Sequence, residues 1–231
     1  MVIKMKLEVI LFSAVSVDGR MDSAEFDIGR YYGIAAKMKT EAIIFGSETV
    51  VSSGLEDTDE DVYEPKHVTN DKRPVVAVVD GRGRVRCWNK LRNEPYWRDM
   101  VALVSESTPK DYLEYLQERK VRYAVFGKDH VDMTKALEWL GSEFGAKRIR
   151  VDSGGTLNGV LLRQNLVTEV HLLIHPFLVG GTTNRSMFIA PDLGKEERAM
   201  NLDLISTRKL EGGLLYLKYK VRVEPKDEAE G

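Results

Sequence analysis

At residues 151–159 the chain reads VDSGGTLNG, set between the alternating run Arg148-Ile149-Arg150-Val151 and the apolar Val160-Leu161-Leu162. A strand pattern stops at an acid, a serine and two glycines. Leu157 to Arg163 then carries a helical pattern, so the stretch is a strand-to-helix turn. Two readings compete. The glycines relieve a tight turn, or their missing Cβ atoms let a ligand approach the main chain. Backbone N–H groups at a helix start are unsatisfied and point outward, which suits an anion such as a pyrophosphate. The residues at 153–156 favour the second reading.

Outward from this turn, the pattern is that of an α/β domain. Leu7 to Val15 is a near-continuous apolar run of the kind found in buried central strands. Further strands are expected at Ala42 to Phe45, Pro74 to Val79, Met100 to Val104, Val121 to Phe126 and Val170 to His175. Helices are expected at Ile28 to Lys39, after Ser107-Thr108-Pro109, and from an Asp132 N-cap to a Gly145 stop. The hydroxyls of 107 and 108 are expected to cap their helix. Leu202 to Leu210 and Leu215 to Val223 read as a hairpin joined by a primed turn at Gly212-Gly213. In the last strand Leu215, Leu217, Tyr219, Val221 and Val223 share the buried face, and Tyr216 shares the solvated face with Lys218, Lys220 and Arg222. The acidic run Glu56 to Glu64 and the stretch Pro65 to Asp71 read as a long surface loop. The expected fold class is a mostly parallel central sheet with helices on both faces and a C-terminal antiparallel hairpin. One domain spans 1–223, followed by an acidic, disordered tail at 224–231.

Composition narrows the function. A formal net charge of -2 gives no global field toward nucleic acid or an anionic membrane. Cys87 is the single cysteine, so no intrachain disulfide forms, which suits the cytoplasm. No 18-residue apolar run and no signal-peptide pattern is present. His171 and His175 share a strand face but lie about 13 Å apart at ~3.3 Å per residue, too far for one ion, so no metal site is expected. Gly81-Arg82-Gly83 begins like a dinucleotide fingerprint, but Arg86 stands where the third glycine belongs, and no GxxxxGK occurs. In an open α/β sheet ligands bind beyond the carboxyl ends of the strands. Those ends carry Asp18-Gly19, Gly46-Ser47, Asp80-Gly81, Ser105, Gly127-Lys128 and Asp152-Ser153-Gly154-Gly155. Arg82, Arg84 and Arg86 either recognise a 2′-phosphate or face solvent from a strand.

Three segments together resemble the reductase domain of riboflavin biosynthesis, whose fold is like that of dihydrofolate reductase. They are SVDGR at 16–20, GSETV at 46–50 and VDSGGTLNGVLLRQNLVTEVHLLIHPFLVGG at 151–181. The resemblance runs from Leu7 to Val223 and implies NADPH as hydride donor, a ribosylaminopyrimidine phosphate as substrate, and a homodimer. It places the cofactor phosphates against Ser153, Gly154, Gly155, Thr156 and Leu157. Thr49 and Val131 become cofactor contacts, with Asp80 and Gly81 near the adenosine half. Gly46 and Gly127, at strand ends, and Ser53, at the acidic position of the loop after Thr49, complete the cofactor site. Asp18, from the SxDG signature, and Asp152, at a position usually glutamate, become the catalytic candidates. Either one orients the substrate or assists proton transfer, for which a carboxyl with a raised pKa is suited. Two departures matter: Ser153 replaces a third glycine, and Val51-Ser52-Ser53-Gly54-Leu55 lacks the family's acidic stretch. A pterin-type reductase of the same fold and a non-catalytic nucleotide-binding protein are the alternatives.

Overall fold

The computed structural model describes residues 7–23, 25–58, 62–63, 70–183, 185–194 and 198–222. The expected tail and much of the expected acidic loop lie outside them. Nine strands form one sheet: β1 (Glu8–Ser16), β2 (Ala42–Gly46), β3 (Val75–Val79), β4 (Asp99–Val104), β5 (Arg122–Val125), β6 (Arg148–Val151), β7 (Glu169–His175), β8 (Leu202–Lys209) and β9 (Leu215–Val221). Their order is β5-β4-β3-β2-β6-β1-β7-β9-β8. Pairings from β5 through β7 are parallel; β7–β9 and β8–β9 are antiparallel. The helices are α1 (Ile28–Ala35), α2 (Ser47–Val51), α3 (Trp88–Arg92), α4 (Lys110–Glu118), α5 (Met133–Phe144) and α6 (Gly155–Arg163).

Alternation along the strands builds a core on each face. Val9, Leu11, Ile44, Ile149 and Val151 pack on one side beneath α5 and α6. The opposite side carries two cores. Ile43, Val76, Val78 and Ala102 meet Trp88 of α3 and Tyr112 and Leu116 of α4. Phe12, Leu173 and Tyr216 meet Tyr31 and Ala35 of α1. Both faces are therefore covered, which explains why the parallel strands read as unbroken apolar runs. Asp132 caps α5 by accepting from the Lys135 N–H at 3.1 Å, and Gly145 ends it at φ 68°.

Four details depart from the sequence reading. Single-turn helices α2 and α3 lie where no helix was expected. The hydroxyls before α4 do not cap it: Ser107 donates to the Asp129 carbonyl and Thr108 to the Gly81 carbonyl, tying three strand-end loops together. The hairpin closes through three residues, 211–213, with Gly212 at φ 73° and Gly213 at φ 78° and the Leu210 N–H donating to the Leu214 carbonyl. In β9, Tyr216 is buried and Leu215 is exposed. The face expected to be solvated lies beside the α1 core, where Tyr216 meets Phe12 edge-on at 5.9 Å and its hydroxyl meets His171 Nδ1 at 2.9 Å.

Candidate active site

A cleft of about 1160 Å³ opens across the carboxyl ends of β1, β2, β3 and β6. That exceeds the volume of an ordinary small-molecule pocket, roughly 300–1,000 Å³, and leaves room for a dinucleotide beside a second molecule. One end is bordered by Gly81, Arg82, Arg84, His130 and Val131; the other by Phe12, Tyr31, Tyr32, Asp152 and Arg185. Gly46, Thr49, Ser153, Gly154, Gly155, Thr156 and Leu157 lie along its walls. Ten of the expected site residues thus border a single space.

The turn at 153–157 is built from three different solutions. Gly154 is the N-cap of α6 at φ -76° and ψ 170°, an ordinary conformation, and a Cβ there would meet nothing within 4 Å. Its side faces open space. The first backbone bond into α6 runs from the Asn158 N–H to the Gly154 carbonyl at 3.3 Å. The N–H groups of Gly155, Thr156 and Leu157 therefore have no acceptor inside the helix. Gly155 serves packing instead: a Cβ would sit 2.1 Å from the Ser186 carbonyl oxygen. Gly159, one turn on, is equally close to Ile189, at 1.9 Å from its carbonyl oxygen. Residues 185–191 form a strap over α6, fastened by Ile189 N–H to the Gly155 carbonyl at 3.0 Å and Asn158 Nδ2 to the Met187 carbonyl at 2.9 Å. Ser153 does not narrow the cradle. Its hydroxyl accepts from the Gly46 N–H at 3.1 Å and fills the space that a Cβ on Gly46 would need, 2.6 Å away.

Asp152 stands at the end of β6, buried against α1, and does not cap α6. Its Oδ1 is 2.6 Å from the Tyr31 hydroxyl, and Oδ2 is 3.6 Å from Arg150 Nη2. Burial pushes its carboxyl above the usual carboxylate range, against the pull of Arg150.

Four expected site residues do not border the cleft. Asp18 is exposed at the end of β1, where it accepts from the Ser16 hydroxyl at 2.5 Å and the N–H groups of Val179 and Gly180 at 3.1 and 2.7 Å. Those bonds, the Ser16 one foremost, lower its carboxyl to about 2. It braces a loop and holds no proton to give near neutral pH. Asp80 is fully buried; its carboxylate accepts from Arg84 N–H, Val85 N–H and the Tyr112 hydroxyl, at 2.8, 2.9 and 2.7 Å. It shapes the turn that presents Gly81 and the two arginines. Ser53 closes the end of α2 by donating to the Val50 carbonyl at 2.6 Å, and its neighbour Ser52 borders the cleft. Gly127, at φ 78°, makes the sharp turn before Val131; a Cβ there would be 2.4 Å from the His130 carbonyl oxygen.

Sequence reasoning missed Tyr31, Arg150, Ser52 and Arg185. It left the arginines open, and the structure separates them. Arg82 and Arg84 border the cleft, with Arg84 2.8 Å from Glu48; Arg86 stacks over Tyr112 and Tyr115 at 4.7 and 4.8 Å. Cys87 is buried, with its thiol pushed up to about 11, chiefly by burial, and is no nucleophile.

An open, mostly parallel sheet with a large cleft over its central strand ends and a buried carboxyl at one end defines an α/β domain with a crevice where such sheets take ligands. The family model of the RibD C-terminal domain matches residues 8–216. The chain belongs to that family, as the three resembling segments implied. A 2,5-diamino-6-ribosylamino-4(3H)-pyrimidinone 5′-phosphate reductase of Methanothermobacter thermautotrophicus is 29% identical over 226 residues, covering 94% of this chain and 100% of the relative. A pyrimidine reductase-like protein of Corynebacterium diphtheriae shares the fold at a TM-score of 0.74 and 14% identity, over 95% of this chain and 94% of that one. The riboflavin biosynthesis reductase Rib7 of Saccharomyces cerevisiae does so at 0.64 and 19% identity, over 95% and 91%.

Proposed function

We propose that the protein is an NADPH-dependent reductase of a ribosylaminopyrimidine phosphate in riboflavin biosynthesis, working in the cytoplasm as a homodimer. The observation that carries this reading is the pair of features at 152–157: unsatisfied N–H groups at the start of α6 beside an open Gly154, and a buried carboxyl two residues earlier. The first suits the diphosphate of a dinucleotide and the second a reacting substrate, and the cleft joins them. Arg82 and Arg84 at the far end suit a 2′-phosphate, which favours NADPH over NADH.

Bound in the cleft, a reduced nicotinamide would supply a hydride for the opened-sugar carbon of the substrate. The chain's own residues do the rest. The α6 N-terminus and Gly154 fix the diphosphate, and Val131 and Gly81 pack at the adenosine end. Phe12 and Tyr31, stacked at 4.2 Å, give the other end a flat apolar wall that suits a heterocycle. Asp152 holds a proton near the reacting atoms. Dimerisation is supported by the edge strand β8, which exposes Leu202, Leu204 and Ile205. The test is a titration of the purified protein with NADPH followed by fluorescence, and then turnover with 2,5-diamino-6-ribosylamino-4(3H)-pyrimidinone 5′-phosphate. Saturable binding and oxidation of NADPH are expected. No binding at millimolar cofactor sinks the proposal.

A further inference from the structure

Arg150 on β6 and Asp152 just after it lie two residues apart, and both side chains meet α1, at the Ala35 carbonyl and the Tyr31 hydroxyl. Both are buried, as is Tyr31 of α1. We propose that Tyr31 and Arg150 are positioning residues: they hold the Asp152 carboxyl at the cleft wall as the proton donor of the reduction, and Arg150 receives the carboxylate left behind. This rests on the reductase reading above.

The hydrogen-bond count supports a neutral carboxyl. The Tyr31 hydroxyl is 2.6 Å from Asp152 Oδ1 and 2.9 Å from the Phe12 carbonyl oxygen. A phenol has one proton, and a carbonyl only accepts. Both contacts are full two-centre hydrogen bonds when the carboxyl donates to Tyr31 while Tyr31 donates to Phe12. The Arg150 geometry agrees. Its Nη1 donates to the Ala35 carbonyl at 3.1 Å, which anchors the guanidinium to the end of α1. Its Nη2 stops 3.6 Å short of Asp152 Oδ2, whereas a charge-assisted bond closes to about 2.7–2.9 Å. Asp152 Oδ2 and Arg150 Nε are buried without a hydrogen-bond partner among the described residues. A buried guanidinium and carboxyl left apart in this way are arranged for the neutral acid, with the cation ready for its anion.

Burial raises the Asp152 carboxyl even beside Arg150, the same direction as the hydrogen-bond geometry. The other groups facing it are Tyr31 and Tyr32 of α1, both raised chiefly by burial, so neither competes as a proton source. With a reduced nicotinamide as hydride donor, the carbon of the substrate's C=N bond would gain two electrons and one hydrogen. The π pair moves to nitrogen, which takes the Asp152 proton. Oxidised nicotinamide, a secondary amine and the Asp152 carboxylate result, and water reprotonates the carboxylate as product leaves.

The experiment follows the protonated-carboxyl infrared band of the free protein across pH, and the pH profile of kcat. It uses wild type, Asp152→Asn, Tyr31→Phe, Arg150→Gln and Arg150→Lys, with melting temperature and NADPH affinity measured for each. In wild type the band is present at neutral pH, is lost in Asp152→Asn, and titrates with the basic limb of kcat. Arg150→Gln moves both upward by about 1–3 pH units, the effect of losing a cation at this distance. Tyr31→Phe removes the acceptor of the carboxyl's proton, so it moves them downward, and it keeps the ring stacked on Phe12. Arg150→Lys restores the wild-type position. A missing wild-type band, or unmoved profiles in variants that fold and bind NADPH, overturns the proposal. If Arg150→Gln does not fold, the Tyr31→Phe and Arg150→Lys profiles decide it. Turnover with unmoved profiles refutes the positioning roles alone; a titrating band without any oxidation of NADPH refutes the reductase reading and the donor role together.

Discussion

Adjacent glycines at the head of α6 should respond in opposite ways to one added methyl group. Gly154→Ala places a Cβ in open space at φ -76°, where alanine is unstrained. Restricting the unfolded chain stabilises by about 0.4–1 kcal/mol, and losing glycine for alanine at an N-cap costs a similar amount. The net is within about 1 kcal/mol, which is roughly 2–4 °C in Tm for a domain of this size. Binding should suffer, because that methyl group occupies the approach of the diphosphate to the free N–H groups. Losing one hydrogen bond to a charged group costs about 1.5–3 kcal/mol, so the NADPH Kd should rise roughly 10- to 100-fold. Gly155→Ala reverses the pattern. Its Cβ would meet the Ser186 carbonyl oxygen at 2.1 Å and Ile189 Cγ1 at 2.8 Å, and neither the strap backbone nor α6 can yield cheaply. Overpacking of this kind costs about 1–3 kcal/mol or more, and Tm should fall clearly. Thermal melts and fluorescence titrations of both variants decide the matter. A Gly154→Ala protein that binds NADPH like wild type would refute the assignment of this turn to the diphosphate.

Arg82→Ala and Arg84→Ala should each weaken NADPH binding about tenfold or more while leaving NADH binding unchanged, since only the 2′-phosphate is lost as a partner; equal loss for both cofactors would move the arginines elsewhere in the site. Asp80→Asn removes charge from an acceptor of two N–H groups and a phenol, and should lower stability by roughly 2–4 kcal/mol in denaturant titrations, since the donors stay buried. Asp18 has a folded-state pKa depressed to about 2, so its contribution is present above the ordinary value of 3.8 and is lost as pH falls through about 2. Melting curves of wild type and Asp18→Asn should therefore differ by a constant amount above about pH 5 and converge toward pH 2; a gap that persists at pH 2 would assign the difference to geometry instead of charge.

Much of the fold is written in the period of the apolar residues, because both faces of the parallel sheet are covered and its strands must be apolar throughout. Where the reading failed, the cause is tertiary. The single-turn helices α2 and α3 are too short to show a helical period. Ser107 and Thr108 have the right chemistry for caps, but neighbouring loops offer them carbonyls. Tyr216 sits among lysines, and only its place over Phe12 explains its burial. The site shows the same division. Glycines, hydroxyls and acids cluster at the strand ends that border the cleft, but residue type alone does not separate those that line it from Asp18, Asp80 and Gly127, which brace loops and turns. Arg150 was illegible for a different reason: an arginine alternating with apolar residues in a strand reads as solvent-facing, and nothing local says that α1 covers it.

Chain order explains why the cleft lies where it does. After β2 the chain steps outward through β3, β4 and β5, and then returns to insert β6 between β2 and β1. Strands β1 and β6 are thus neighbours whose following helices go to opposite faces, α1 to the side of Phe12 and α6 to the side of Val151. Two connections leaving adjacent strand ends in opposite directions open a crevice between them. The residue that ends β6 then faces α1, while the glycines just after it start α6 on the far side. A single step of the backbone, from Asp152 to Gly154, therefore presents a carboxyl toward one half of the crevice and unsatisfied N–H groups toward the other. Separating the two would require moving β6 from the centre of the sheet, which is why the acid, the serine staple to Gly46 and the open glycine function as one unit.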